Sequence, residues 1–318
     1  MNMTIKSLVF STLLLSIFAC NQNPSNGNSQ TKNNGNPSEI QDEKNTVKTN
    51  FEEGVIDVKI STPGSKMGEL IQKVDPSKGD ISGQMKKLAA DLPAKDKAEM
   101  EAQSKKAGLF NLAIMMLPVH STIYIKGDEA TAKFEAITYH GENTLNNAKK
   151  EGMIFMKSQN SDKALTIKYD GDSFKDMAGT QLDANNYDIV QTDEISNVAG
   201  YPCKKAVYTL KNAATAKKSE LGLPTGNVYK IEVFTSSQMP KAVNFLHPVY
   251  IKEDAGIMKL IIQYDKESDL KILYEFNKLE SRAVTAAEMS IQKTKKISDY
   301  GKEKLAVGME MMGIIFGM

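Results

Sequence analysis

The chain predicts an α+β fold: one antiparallel sheet of eight or more strands, with helices laid against it. Three observations carry this reading. Between residues 119 and 282, short runs rich in β-branched and aromatic residues alternate with hairpin-sized gaps. Residues 80–117 instead repeat apolar positions at steps of three and four, the period of a helix face. The stretch from Leu305 to Met318 is apolar apart from Glu310 and the glycines, so it needs a place to be buried. Residues 51–318 are long enough for one large domain and are read as a single α+β unit.

The first element of that unit is a half-buried strand, in which Ile56, Val58 and Ile60 alternate with Asp57, Lys59 and Ser61. Residues 64–79 read as loop, with a short apolar Leu70-Ile71. Helix comes next, over 80–117. Asp80 is a suitable N-cap, and Ile81, Met85, Leu88 and Leu92 share one face. Pro93 predicts a joint, giving two helical pieces. The second is charged from Lys95 to Lys106, then apolar from Leu109 to Leu117 with only Asn111 intervening, and Pro118 ends it. Strands are predicted at 121–126 and 130–136, joined through Gly127-Asp128, and at 152–158 and 164–169. Further strands are expected at 187–192, 203–210, 228–235, 257–264 and 270–277. So many strands are enough to curl a sheet or split it in two.

The N-terminus is organised differently. Lys6, an apolar run from Leu8 to Phe18, and small Ala19 make residues 1–19 a secretory signal peptide. The run is too short for the roughly 20 apolar residues that span a bilayer. Ile17-Phe18-Ala19-Cys20 resembles the lipobox of bacterial lipoproteins. That resemblance implies that Cys20 is lipidated and that the protein is held at the membrane by acyl chains, more than one of which anchors stably. Residues 20–50, rich in Asn, Ser, Gly and Lys, cannot bury enough apolar surface to order themselves and read as a disordered tether. Asn21 in place of Asp, by resemblance to lipoprotein sorting, implies the outer membrane rather than the inner one.

Charge and cysteines narrow the function. Lys6 is the one charge in residues 1–19, so the remainder carries 39 basic and 39 acidic residues. With no basic stripe, nucleic-acid binding lacks electrostatic support. Once Cys20 is acylated, Cys203 is alone and no intramolecular disulfide can form. Lys204 and Lys205 beside it could lower its pKa, but a buried structural cysteine on a strand is the simpler reading. His120, His140 and His247 have no metal-ligand spacing. No Gly-x-Ser-x-Gly or phosphate-cradling loop occurs, so no enzyme is expected, and no metal or other cofactor is implied.

The remaining candidate is an apolar interior rich in methionine, a flexible side chain that suits surfaces accepting variable partners, acyl chains included. Leu109, Phe110, Leu112, Met115, Met116, Met309, Met312 and Phe316 are the expected lining, with the C-terminal segment packed beside 109–117. Two readings are open. One is a non-enzymatic envelope lipoprotein that binds a lipid or acyl chain in a cavity of several hundred Å³. The other is a structural or interaction subunit of an envelope assembly with a filled core.

One string is more specific. Gly200-Tyr201-Pro202-Cys203-Lys204-Lys205-Ala206 resembles a segment of GLPGLI-type bacterial envelope proteins. Gly54-Val55-Ile56-Asp57-Val58 at the start of the domain, and Val233 to Pro240 after the cysteine, are in the same order. Gly222-Leu223-Pro224 is not at that family's usual place, and the apolar tail is not a feature of it. The resemblance implies a LolA-like architecture: a strongly curved antiparallel sheet, an incomplete barrel, with helices packed on the concave face and acyl chains as the ligand class. It implies no catalytic residue.

Overall fold

The computed structural model describes residues 50–171, 173, 180–182, 184–211, 228–247, 249–251 and 253–316. The expected signal peptide, Cys20 and the tether lie outside the described residues, as does Gly222-Leu223-Pro224. Alternation produces the strand expected at the start of the body: β1 (Glu53–Ser61) buries Gly54, Ile56 and Val58. The next strands are β2 (Pro118–Lys126), β3 (Glu129–Ala136), β4 (Tyr139–Asn146), β5 (Glu151–Ser158) and β6 (Ala164–Asp170). After β7 (Thr180–Gln181) come β8 (Tyr187–Val198), β9 (Tyr201–Leu210) and β10 (Lys230–Ser236). Then β11 (Val249–Tyr250), β12 (Gly256–Gln263), β13 (Ile272–Ser281) and β14 (Ile297–Asp299) complete the set.

Twelve of these form one sheet in the order β14-β6-β5-β4-β3-β2-β1-β13-β12-β10-β9-β8, and β7 pairs with β11 separately. The sheet is antiparallel except where β14 runs parallel to β6. It is not closed into a barrel: β14 and β8 are its two ends. Hairpins appear where turn chemistry predicts them. Gly127 has a positive φ between β2 and β3, and Ala199-Gly200 turn the chain at φ 50° and 87° between β8 and β9.

β4 is the one long strand that the residue pattern did not announce, the short β7, β11 and β14 being the others. Its text, Tyr-His-Gly-Glu-Asn-Thr-Leu-Asn, carries almost no apolar alternation. It is nevertheless buried on both faces, because polar partners meet it on each side. Tyr169 donates to Asn143 Oδ1 at 2.7 Å on the core face. Glu142, on the opposite face, is held by Gln292. The core face itself is apolar, with Ile56, Ile123, Ile167, Leu260, Ile262 and Phe276 fully buried.

Six helices accompany the sheet among the described residues: α1 (Lys66–Ile71), α2 (Ile81–Ala90), α3 (Ala94–Lys106), α4 (Gly108–Met116), α5 (Ala286–Met289) and α6 (Tyr300–Phe316). α1 falls in the stretch expected to be loop. Ser65 nucleates it by accepting from Gly68 N–H, and Leu70 is buried against Ile81 and Met85 of α2. Asp80 caps α2 through Gly83 N–H at 2.9 Å, as predicted. The 80–117 region is three pieces rather than two, because a second break occurs at Ala107 (φ −125°, ψ 57°). The N-terminus of α4 is capped from far away in sequence: the Asp265 carboxylate accepts from Leu109 N–H at 3.3 Å and Phe110 N–H at 2.9 Å.

The C-terminal run docks, as its composition requires. α6, kinked at Glu303, packs on β5, β6 and β14 and buries Tyr300, Val307, Met312, Ile314 and Ile315. Before it, residues 282–296 form a strap across the outer face of β3 to β6. Thr131 Oγ1 donates to Met289 O, Gln292 N–H donates to Glu142 Oε2 at 2.6 Å, and Thr294 N–H donates to Thr166 Oγ1. The chain thus crosses the outer face as strap, closes the edge as β14, and turns onto the core face as α6.

Candidate functional site: the open sheet edge and the apolar segments

β8 pairs with β9 from Tyr187↔Leu210 to Val198↔Tyr201. Its other side pairs with no strand among the described residues. An irregularity between Gln191 and Ile195 divides the strand, and Thr192 fills the break by donating Oγ1–H to the Lys205 carbonyl. Ile189, Val190 and Ile195 are 42%, 58% and 64% exposed. Cross-strand register places Ile189 beside Tyr208 and Val190 beside Val207, so apolar side chains reach water on both faces of the edge strand. The strand holds Asp188, Asp193 and Glu194 and no Lys, Arg or His. Glu194 is drawn to Lys205 at 3.0 Å, and that lysine also meets Glu232. The sequence predicts a strand at 187–192 but does not mark it as an edge. The absence of basic residues beside exposed Ile and Val was the available signal, since protected edges usually carry lysine or proline.

The residues expected to line an apolar interior divide between two places. Phe110 is buried with Ile114, Leu117 and Ile272, where α4 meets the ends of β1 and β13. Met116 and Phe316 pack on the main core, and Met312 is buried in α6. Leu109 is half-buried, and the side chains of Leu112 and Met115 lie outside the described residues. Met309 stands on the outside of α6, 65% exposed, because the docked face of the helix is the one carrying Val307 and Ile314. Thr138 Oγ1 donates to the Ile315 carbonyl and Tyr139 OH donates to the Met116 carbonyl at 2.6 Å, from adjacent residues at the start of β4. Near α4 there is a cavity of about 20 Å³, lined by Ile60, Ile71, Ile114 and Leu117 among others. That is room for about one water molecule.

The three histidines have three environments. His120 is exposed near Asp57. His140 lies between two carboxylates, Glu135 at 2.6 Å from Nδ1 and Glu142 at 3.1 Å from Nε2. The hydrogen bond to Glu135 is the main reason its pKa rises, with burial opposing and Glu142 adding. Burial works against the Glu142 carboxylate, but the Gln292 backbone and side-chain donors and His140 outweigh it and leave its pKa below the ordinary value. This trio ties β3, β4 and the strap together. Sequence spacing missed it because Glu135 and His140 are cross-strand partners. His247 is buried, donates Nε2–H to the Ile257 carbonyl at 2.8 Å, and stacks on Phe276. Its Nδ1 has no hydrogen-bond partner, and burial pushes its pKa down to about 4. Among the described residues no His, Cys, Asp and Glu cluster is arranged to hold a metal.

Cys203 is fully buried beside Met258, and burial pushes its thiol up to about 11. The nearby Lys205 is turned to Glu194 and Glu232 rather than to sulfur. No helix of the described residues is long and apolar enough to cross a membrane.

No protein-family model matches the chain, and no curated protein does. Among solved structures, two crystal forms of PNGF-II are similar at TM-scores of 0.34 and 0.38, with 14% and 12% identity over 59% and 80% of this chain. The chain covers 30% and 33% of PNGF-II in those comparisons, about a third of its length. LprF from Mycobacterium bovis is similar at a TM-score of 0.26 and 10% identity, over 75% of this chain and 90% of LprF. Likenesses this weak carry no argument, and none of them supports the resemblance to GLPGLI-type proteins.

Proposed function

We propose that this chain is a lipid-anchored protein of the bacterial envelope, in the outer membrane, whose body acts without catalysis as an interaction module. Cys20 and residues 20–50 would hold the body on a leash. The β8 edge would take an extended strand from an envelope protein. The observation that carries this reading is β8, which pairs with strand β9 alone among the described residues and holds Ile189, Val190 and Ile195 in water. Strand addition draws affinity from main-chain hydrogen bonds and specificity from alternate side chains. Three acidic residues without a basic one favour a strand carrying lysine or arginine, and they disfavour a second copy of β8, which would bring like charges together.

The acyl-ligand reading is supported less. It calls for an apolar cavity of several hundred Å³; the apolar cavity near α4 has a volume of about 20 Å³, and the larger hollow beside His140, about 510 Å³, is lined by Lys157, Ser158, Gln159, Asn160 and Asp162, which offer an acyl chain no apolar wall. Photo-crosslinking in cells from position 190, with position 157 on the exposed part of β5 as control, tests the choice. The interaction reading expects a discrete protein adduct from 190 alone. Lipid adducts only, together with stoichiometric lipid in organic extracts of the purified protein, would establish the ligand reading instead.

A further inference from the structure

The strap is fastened to the sheet by bonds of two kinds. Thr131 and Thr166 hold it through neutral hydroxyls, whereas the point between them is ionic. There Glu142 accepts twice from Gln292, from N–H at 2.6 Å and from Nε2–H at 3.0 Å. Glu142 Oε1 also meets His140 Nε2 at 3.1 Å. Across the ring, Nδ1 meets Glu135 Oε1 at 2.6 Å. Glu135 is held in turn by Gln159, whose Nε2–H donates to Oε2 at 3.2 Å. Each carboxylate is thus fixed by an amide donor, and both aim an acceptor at one imidazole. Only the doubly protonated ring can donate to both.

We propose that His140 is a proton-operated latch: its imidazolium keeps the strap and β14 closed on the sheet, and loss of the proton releases them and bares the β6 edge. The neutral ring keeps one N–H. The shorter contact to Glu135 retains it, so the Nε2 lone pair then faces Glu142, which is 5% exposed. Burial opposes the Glu142 charge, but the Gln292 donors keep it ionised. A buried carboxylate without its cation is costly, and the cost is relieved when the side chain swings outward and takes Gln292 with it. β14 has little else to hold it, since it pairs with β6 over Ile297–Asp299 alone. No other charge replaces the imidazolium. Lys133, opposite Glu142 in register, donates to the Ala287 carbonyl. Lys157, the cross-strand partner of His140, and Asp162 are exposed around the hollow beside the ring, where water screens them. Phe155 meets the ring with an uncharged edge, and the charged neighbours of Gln292 on the strap, Lys293 and Lys295, are exposed. The latch is closed below the ordinary histidine pKa and opens as pH rises through the folded value, which the bond to Glu135 raises.

The test follows the full chain carrying Cys20→Ser by histidine NMR and by amide exchange from about pH 5.5 to about pH 9, with exchange corrected for its intrinsic pH dependence. Protection at residues 290–299 and at Thr166–Lys168 should fall at least about tenfold as the His140 ring loses its proton, the scale of losing one hydrogen bond between charged groups. β12 and β13 should keep their protection. His140→Gln has no titrating proton and should hold the strap and β14 at one protection level across the range. The same fall in His140→Gln, a fall shared equally by β12 and β13, or strap protection that stays constant through the ring's titration would overturn the inference. Glu135→Gln serves if His140→Gln fails to fold. It removes the carboxylate that raises the ring's pKa, so release should move to lower pH, and an unmoved midpoint would count against the latch. None of these readouts depends on the lipid anchor or on a partner at β8.

Discussion

At one end of the sheet, β14 pairs with Thr166–Lys168 of β6 while the 282–296 strap and α6 pack on its two faces; at the other, β8 pairs with no further strand among the described residues and exposes Ile189, Val190 and Ile195. The two ends are built from similar strands, so the difference lies in where the C-terminal segment runs. β6 is closed because that segment returns over the outer face and then under the core face. β8 lies beyond its reach. The half near β6 adds polar bonds to the strap on its outer face to the buried apolar side chains of its core face, such as Ile167, Ile314 and Ile315, whereas the half near β12 is held by buried apolar side chains and one neutral histidine, His247. A sheet edge is an adhesive surface unless it is covered, charged or interrupted, and this protein caps one edge with a three-residue strand and a helix while only partly interrupting the other.

The largest effect should come from reopening the closed end. Truncation before Tyr300 removes Val307, Met312, Ile314 and Ile315 from the core, each worth about 1.5–3 kcal/mol of burial, against a typical domain stability of about 5–15 kcal/mol. The truncated chain should be insoluble or unfolded; recovery of soluble protein with an unchanged melting temperature would show that α6 is not part of the core.

Acid should separate the two halves next. His247 has a folded pKa of about 4 against 6.5 when unfolded. The unfolded chain therefore takes up a proton first, and stability falls as pH drops from 6.5 towards 4. The full loss is about 3 kcal/mol at about 1.4 kcal/mol per pKa unit. Glu142 has a lowered folded pKa, so its contribution is present above 4.5 and lost as pH falls below that. His140 has a raised folded pKa, so its contribution is full below 6.5 and lost as pH rises through the folded value. Urea titrations across pH should show the acid-side slope between 6.5 and 4 vanish in His247→Phe, and an unchanged slope would mean that this histidine is not the source.

Freeing the strap is a smaller change. Glu142→Ala leaves the two Gln292 donors without their acceptor and should cost about 1–3 kcal/mol. The local signature is faster amide exchange across 286–294 with β12 and β13 unaffected; uniform acceleration would argue against a locally pinned strap. Smallest of all, Ile195→Lys on the open edge should alter stability by no more than about 0.5 kcal/mol while abolishing the position-190 adduct. A large loss of stability would show that this edge is covered by the protein's own chain.

Much of the architecture was legible in the residue pattern. The helix capped by Asp80, the 130–136 and 152–158 strands, and the need to bury 305–318 come from local rules about periodicity, turns and apolar exposure. β4 was not legible, because its residues satisfy contacts with Tyr169 and Gln292 that are far away in sequence, and a polar strand buried on both faces looks like a loop. α1 was missed for a similar reason: too short to show a period, it is made stable by the Ser65 cap and the packing of Leu70. Of the apolar site residues, Phe110 and Met312 are inward as their character suggests. Met309 is not, since the side of α6 that faces the sheet depends on helix rotation and not on composition.

Periodicity and side-chain chemistry alone dictated that a many-stranded sheet would form, that the helix from Ile81 would be amphipathic, and that an oily terminus would have to dock, because these depend on interactions within a few residues and on transfer from water. Which strand became an edge, where the strap crosses, how Glu135, His140 and Glu142 meet, and which methionine stays in solvent were settled only by long-range packing. Those outcomes require segments far apart in the chain to find each other, and the free energy that selects one arrangement exists only once the sheet has assembled.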